Sequence, residues 1–332
     1  MQLLGQLNEV AKRVPDTKRF IKAYIIKEAL LSSAIEGIHT TILEVFTQPF
    51  TESKPTKETR LVINYLQSLE EACSFLQNNS SSISSNMLLA AHKKMLSLGS
   101  IDEGMPGRYR DRAVRIGDLI PPPAEMVPKM MADLEQYLNS ASNIPPLIQA
   151  GLAHVQFETI HPFLDGNGRI GRLLIILLML RDNLLEMPLL YPSYYFKKYD
   201  FEYYHQLNSV RVNGDFEGWI IYFLHAIKAS CKDAYKRARD IELLETTCTL
   251  IIQNDQRFST TQETALAALN VFFQTPVITV NELCQRIDKS YNTAHKNILQ
   301  FIECGLVSEN TQQKRNKLYQ FDPYLKLLEK EY

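Results

Sequence analysis

Apolar residues along this chain recur mostly at helical spacing, in stretches separated by short polar or proline-rich breaks. From Arg19 to Gly37, RFIKAYIIKEALLSSAIEG carries Ile21, Tyr24, Ile25, Ala29 and Leu30 near the i, i+3, i+4 period, and Gly37 is a natural stop. A second helix is expected over 57–77, KETRLVINYLQSLEEACSFLQ. The polar run NNSSSISS (78–85) reads as a loop between subregions, after which NMLLAAHKKML resumes the helical pattern. Helices are also expected over 126–139 and 146–160, and in segments through about residue 255, of which WIIYFLHAIKASCKDAYKRARDIELLE is the clearest. The most apolar stretch, Leu173 to Leu180, is bounded by Arg172 and Arg181. A membrane span needs about twenty apolar residues, so this short run is expected to be a buried helix.

Two stretches depart from the helical period. In GRYRDRAVRIGDLIPPPAEM (107–126), Ala113–Ile116 and Leu119-Ile120 read as two short strands around Gly117-Asp118, a suitable two-residue hairpin loop. Three prolines end the second strand because they cannot donate to a ladder. The other is the tail, VNELCQRIDKSYNTAHKNILQFIECGLVSENTQQKRNKLYQF (280–321), which reads as helix, short turn, helix, then two strands around a polar tip. That is the order of a winged helix-turn-helix, with Leu283, Ile287, Ala294, Ile298 and Ile302 as its core positions.

Composition adds bounds. The chain has 332 residues, 45% hydrophobic and 22% charged, enough for two or three domains. Formal net charge is −1, so any surface for nucleic acid must be local. The five cysteines are scattered and odd in number, without a C-x-x-C pair, which fits reduced thiols better than a disulfide framework or zinc site. MQLLGQLNEVAKRVPDTKR has no apolar core of the length a signal peptide requires. A cytoplasmic protein without a membrane partner is therefore expected.

The richest chemistry lies at 161–172, HPFLDGNGRIGR, directly before the buried helix. Asp-Gly and Asn-Gly are turn formers, and a plain turn is the simplest reading. Here, however, two such pairs follow one another with helical patterns on both sides. A glycine-rich loop opening a helix leaves unpaired N–H groups and the positive end of the dipole facing outward. Gly166 and Gly168 would let an anion approach the backbone. Arg169 and Arg172 share a helix face at the same end. Two such guanidiniums repel unless a polyanion or an acidic side chain sits between them, and phosphate fits. Asp165 is coherent there if it holds Mg²⁺, which is usually bound by one or two carboxylates with phosphate oxygens and water. His161 offers a group that can take a proton from an attacking hydroxyl at neutral pH. A rival arrangement takes His154, Glu158 and His161, with Asp165 near, as ligands of a hydrolytic metal; it leaves the glycines and arginines without a role.

HPFLDGNGRIGR resembles the signature of the Fic family, HPF-x-[D/E]-G-N-G-R-x-x-R, at every fixed position. Known members mostly transfer AMP from ATP to a protein hydroxyl and release pyrophosphate. The resemblance implies His161 as general base toward Tyr, Thr or Ser, and Asp165 as the holder of Mg²⁺. It implies Gly166, Gly168 and Asn167, side chain included, as the anion hole for the α- and β-phosphates. Arg169 and Arg172 would grip the β- and γ-phosphates, and Phe163 would pack the loop. The hairpin at 113–120 resembles the family's flap, which docks a target segment by strand pairing. On its residues alone Glu36 is a solvated charge near a helix end, slightly unfavourable against the dipole. Yet Ser32-x-x-x-Glu36-Gly37 resembles the family's inhibitory motif, in which the glutamate pairs with the second loop arginine, here Arg172. One departure is that Tyr199-Asp200 stands where relatives often carry an adenine-contacting Asn.

The fold expected is mainly α. A helical region with the inhibitory helix occupies 1–85, a Fic catalytic domain with a β-hairpin flap 86–226, connecting helices 227–258, and a winged helix-turn-helix domain 259–332. The function expected is an autoinhibited protein adenylyltransferase using ATP and Mg²⁺. The alternatives are a winged-helix DNA-binding regulator with a nucleotide-sensing upper domain, removal of AMP, or transfer of another phosphate-linked group. In the tail, six basic residues (Arg286, Lys289, Lys296, Lys314, Arg315, Lys317) face four acidic ones (Glu282, Asp288, Glu303, Glu309). DNA and protein are both open as its partner, and homo-oligomerisation stays open as well.

Overall fold

The computed structural model describes residues 1–13, 17–51, 53–78, 82–97, 105–117, 120–310 and 317–331. The helices begin with α1 (Gln2–Arg13), α2 (Thr17–Ile35), α3 (Ile42–Thr47), α4 (Lys57–Asn78) and α5 (Ser85–Leu96). Then come α6 (Val127–Asn139), α7 (Pro146–Ile160), α8 (Asn167–Arg181), α9 (Ser193–Lys198), α10 (Asp200–Asn213) and α11 (Phe216–Asn254). The rest of the chain forms α12 (Gln262–Gln274), β1 (Val277–Thr279), α13 (Val280–Ile287), α14 (Tyr291–Glu303), β2 (Val307–Glu309), β3 (Leu318–Phe321) and α15 (Asp322–Glu329). Among the described residues no helix is long and apolar enough to cross a membrane. The chain forms two compact units. One comprises Met1–Glu9, Tyr24–His39 and Thr56–Ala234, the other Val10–Ala23, Thr40–Pro55 and Tyr235–Tyr332.

The first unit is built around α8. Its residues Ile170, Leu173–Leu178 and Met179 are all essentially excluded from solvent. A helix apolar on every side has no face to offer water, and α8 is accordingly enclosed by α7, α4 and α5. Gly151 on α7 permits a close approach, since a Cβ there would lie 2.8 Å from the Phe223 ring and 2.9 Å from Ile220. Trp219 uses the same spot to donate its indole N–H to the Gly151 carbonyl at 2.8 Å. His154 is a buried core histidine of α7. Its Nδ1 donates to the Gly171 carbonyl (2.9 Å), and its Nε2 accepts the Tyr203 hydroxyl (2.8 Å). With both nitrogens committed and burial pushing it down to about 3, His154 stays neutral.

The helix that carries Ser32 is tied in by a buried carboxyl. Glu28 on α2 accepts the Ser193 hydroxyl at 2.5 Å and its main-chain N–H at 3.2 Å. Burial pushes Glu28 up to about 7 from 4.5, against the opposing effects of Ser193 and Arg172.

In the second unit β3 is the central strand of a three-stranded antiparallel sheet ordered β1-β3-β2, with Ile278 opposite Tyr319 and Ser308 opposite Gln320. Thr279 caps α13 by accepting the Glu282 N–H, and Ser290 caps α14 by accepting that of Thr293. Leu283, Ala294 and Ile298 fill the core as expected, but Ile287 and Ile302 are only half-buried. Phe301 takes the inward position instead, against Phe258 and Phe272. Strand β1 was not expected, because three residues are too few to show a period. Of the expected polar tip, Lys314 and Arg315 lie outside the described residues, while Lys317 pairs with Glu309 at 2.9 Å. Of the expected hairpin at 113–120, Ile116 alone among the described residues carries a strand bridge, and Gly117 turns at φ +56°. Asp118 and Leu119 lie outside the described residues.

Two stability outcomes follow. Leu177→Ala removes a fully enclosed side chain and should cost about 3–5 kcal/mol in urea unfolding; a loss below about 1 kcal/mol would refute the enclosure of α8. For Glu28 the folded carboxyl holds its proton more tightly than the unfolded one. Its stabilising contribution is therefore full below the unfolded value of 4.5 and lost as pH rises through about 7. Glu28→Gln should thus stabilise the protein more at pH 8 than at pH 5, by a difference on the order of 3 kcal/mol at most. Equal shifts in urea midpoint at the two pH values would contradict this.

Candidate functional site

The site forms where α7 ends and α8 begins, in the first unit. His161 terminates α7 in the left-handed region, at φ 50° and ψ 61°. A non-glycine residue persists there only when its surroundings over-determine it. Its N–H donates to the Phe157 carbonyl at 2.9 Å. Buried Arg110 holds the other side: Nε donates to the His161 carbonyl at 2.8 Å, and Nη2 to those of Ile160 (3.3 Å) and Pro122. The Arg110 N–H also reaches the Pro162 carbonyl at 2.9 Å. A guanidinium thus satisfies the carbonyls that a helix C-terminus leaves open, with a charge the dipole favours. In the sequence Arg110 is marked only as the second arginine of GRYR, near an expected turn.

Beyond His161 the loop is braced from within. Asn167 accepts the Phe163 N–H and donates to the Phe163 carbonyl, both at 2.8 Å. Both ends of the carboxamide thus brace the turn, so its expected place in the anion hole is narrowed. The second Nδ2 hydrogen and the main-chain N–H are what Asn167 has left to offer an anion. Phe163 is fully buried and stacks on His92, ring centroids 3.8 Å apart. A carbonyl can only accept, so His92 Nε2 donates to the Asp165 carbonyl at 3.0 Å, and Nδ1 then accepts the Gly107 N–H at 3.0 Å. Burial pushes His92 down to about 4, which keeps that tautomer neutral. Gly166 sits at φ +80°, and a Cβ there would lie 2.3 Å from Met95 Cε. No side chain caps the start of α8, so the amides of its first turn stay available to an anion.

The two loop arginines are buried beside that opening. Arg172 donates from Nε to the Ser32 hydroxyl (2.8 Å) and from Nη2 to the Ser32 carbonyl (2.9 Å) and Glu36 Oε1 (2.7 Å). Burial works against its charge, but Glu36, then Tyr203 and Glu158, outweigh it and raise its pKa. Glu36 reaches this place because α2 stops sharply. The Glu36 and Ile38 N–H groups both return to the Ser33 carbonyl at 3.0 Å, and Gly37 takes φ +75°. Gly168 leaves the room, since a Cβ there would lie 2.2 Å from Glu36 Oε1 and 2.9 Å from Arg172 Nη1. Arg169 meets Asp165 Oδ2 at 3.5 Å, and its Nε and Nη1 are buried with no partner. Burial depresses its pKa, offset in part by Asp165 and Glu36.

His161 buries Nδ1 without a hydrogen-bond partner and leaves Nε2 as the accessible nitrogen. Burial, reinforced by Arg211, pushes the ring down to about 4. It is therefore a neutral acceptor at pH 7. Asp165 projects into solvent, its side chain 62% exposed. One oxygen is held by the Gly166 N–H at 2.7 Å and the other only loosely by Arg169. A lone, largely hydrated carboxylate beside open amides suits Mg²⁺ that takes the rest of its shell from phosphate and water. Among the described residues no group of three or more His, Cys, Asp or Glu could hold a metal. With His154 committed on both nitrogens, the His154–Glu158–His161 arrangement is a structural one. Tyr199 is exposed and lies beside Tyr195, ring centroids 4.5 Å apart, while Asp200 pairs with Lys197 at 3.3 Å.

The structure thus brings His161, Asp165, Gly166, Asn167, Gly168, Arg169 and Arg172 to one helix mouth, with Ser32 and Glu36 on the second arginine. The model of the Fic/DOC family matches residues 82–179, and that of the Fic/DOC family N-terminal region matches 1–74. Protein adenylyltransferase fic-1 of Caenorhabditis elegans is 37% identical over 112 residues, 33% of this chain and 22% of that protein. Protein adenylyltransferase Fic of Nematostella vectensis is 28% identical over 226 residues, 66% of this chain and 50% of that protein. The chain therefore spans half or less of the length of these curated relatives. A Fic family protein from Desulfovibrio desulfuricans G20 superposes with TM-score 0.56 at 22% identity, over 96% of this chain and 94% of its own, a likeness of fold. The C. elegans Fic-1 structure does so with TM-score 0.55 at 25% identity, over 74% and 71%. With both family models matched on one chain, and the loop at 161–172 inside the second match folded around a single helix mouth, the protein belongs to the Fic/DOC family.

Proposed function

We propose that this chain is a protein adenylyltransferase that transfers AMP from ATP to a Tyr, Thr or Ser hydroxyl and is held inactive by Glu36. One observation carries the reading: a neutral, largely buried imidazole beside an uncapped helix start whose arginine is occupied by a carboxylate. The triphosphate lies across the amides of Asn167 and Gly168, with Arg169 and Arg172 on its outer phosphates. His161 Nε2 takes the proton of the target hydroxyl, whose oxygen bonds to the α-phosphorus. The α-phosphorus–oxygen bond to the β-phosphate breaks, and pyrophosphate leaves with its charge on the guanidiniums. Mg²⁺, held through Asp165, would neutralise phosphate charge. The target segment docks along 113–120 by main-chain pairing, which sets the hydroxyl's position and leaves side-chain choice loose. The names of the relatives support adenylyl transfer, and the two-point grip on Arg172 supports inhibition, because a charge-assisted pair must yield before phosphate takes its place.

The C-terminal unit supports a second assignment, a winged helix-turn-helix. Its order of helix, strand, two helices and two strands is that of the motif, and α14 is the recognition helix. Its partner is DNA or a protein, since winged helices serve both.

Incubation with α-labelled ATP and Mg²⁺ tests the first reading. Glu36→Gly should raise labelled AMP on protein by about 10- to 100-fold, the worth of a charge-assisted pair. Adding His161→Ala to that variant should lower it by about 100-fold or more. An inactive Glu36→Gly protein that binds no nucleotide would sink the reading. For the tail, filter binding at two salt concentrations should show DNA affinity falling steeply with salt; no binding at low salt would leave the unit a protein-docking module.

A further inference from the structure

Glu158 and His161 lie one turn apart at the end of α7, and each carries a buried polar atom that nothing satisfies: Oε1 of Glu158 and Nδ1 of His161. Glu158 Oε2 is 4.0 Å from that Nδ1. Buried polar atoms are nearly always hydrogen-bonded, so two unsatisfied ones on adjacent turns of one helix need a reason. The fold makes room for this carboxyl, because a Cβ on Gly171 would lie 2.3 Å from Glu158 Oε1. Among the described residues the Glu158 carboxyl has no ion pair other than His161. Its main-chain carbonyl takes Arg211 Nη2 at 2.7 Å and also acts on the His161 ring, so the carboxyl is the group left without a hydrogen-bond partner.

We propose that Glu158 is the positioning residue of the base: its carboxylate accepts the Nδ1 proton of His161, fixes the ring's rotation and tautomer, and leaves Nε2 with the free lone pair. Closing from 4.0 Å to hydrogen-bond distance takes about 1 Å, a side-chain adjustment. When Nε2 receives the hydroxyl proton, the imidazolium forms beside a carboxylate that steadies it, as orienting acids do for catalytic histidines. Such an acid adds to what is there, because Arg211 and Arg110 both oppose a positive ring, while the Glu158 main-chain carbonyl and, more weakly, Glu36 favour it. The groups facing Glu158 itself are Arg172 on α8, Arg211, Tyr203 and Tyr204 on α10, and Glu36 after α2. Burial lifts Glu158 to about 7, with Arg172 lowering it and Glu36 raising it. In the nucleotide-free protein, removing Glu36 therefore drives Glu158 toward the ionised form that the role requires.

The inference rests on His161 being the base, and the test separates the two ideas. Ring ¹⁵N shifts of labelled histidine, with His161 assigned from the His161→Ala spectrum, are recorded at pH 7.5 in the Glu36→Gly protein. AMP transfer is measured on the same samples. The proton should sit on Nδ1. Adding Glu158→Leu should move it largely to Nε2 and cut kcat by about 10- to 100-fold, with KM for ATP within about twofold. Adding Glu158→Gln, which keeps an acceptor but no charge, should retain the Nδ1 proton and give an intermediate kcat. A folded Leu variant with an unmoved tautomer and undiminished kcat overturns the assignment. Should the Leu variant not fold, the Gln variant decides, and a kcat within twofold of the parent overturns it. If the tautomer responds but no AMP is transferred by the parent, the pairing stands and the proposed reaction falls.

Discussion

A buried guanidinium governs this site. Arg172 has no solvent to carry its charge, and an ion taken from water into a protein interior costs several kcal/mol unless it is matched. In this structure the match is made by two atoms of Ser32 and one oxygen of Glu36. The need for a negative partner is permanent, whereas the identity of the partner is not. Any anion of the right reach can answer it, and in this structure the carboxylate of Glu36 does.

The rest of the machinery keeps the mouth rigid around that charge. Arg110 ties the end of α7 to the segment before the prolines, Asn167 closes the loop on Phe163, and His92 joins the loop to Gly107. Each of these groups is polar and buried, and each is fastened to main chain. Such networks tolerate little partial satisfaction. They can hold His161 in an uncommon backbone conformation without help from a ligand. Preorganisation of this kind lets an acceptor be in place before substrate arrives.

Much of this was legible in the residues, unevenly. The helices at 57–77 and 146–160 and the buried run after Arg172 were plain, because long stretches keep their period and a wholly apolar segment can only be inside. The loop was legible because two turn formers in succession between helices have few other uses. Pairings between distant parts were not. The carboxyl of Glu28 and its place against Ser193 leave no mark in a window of twenty residues, and Arg110 looked like one arginine among several. That the amide of Asn167 also braces the loop was not legible, since side-chain direction inside a turn does not follow from its spelling. Strand β1 escaped for want of length, and Phe301 rather than Ile302 fills the core because the register of α14 turns on a single residue.

The bare α-carbon of Gly168 constrains how this protein can change over generations. A methyl group there would fall within 2.2 Å of Glu36 Oε1 and 2.9 Å of Arg172. No side chain can be gained at this position without pressing on the Glu36–Arg172 pair. Heritable change in how tightly Arg172 is held must therefore come from elsewhere, as from the helix end that brings Glu36 to the vacancy.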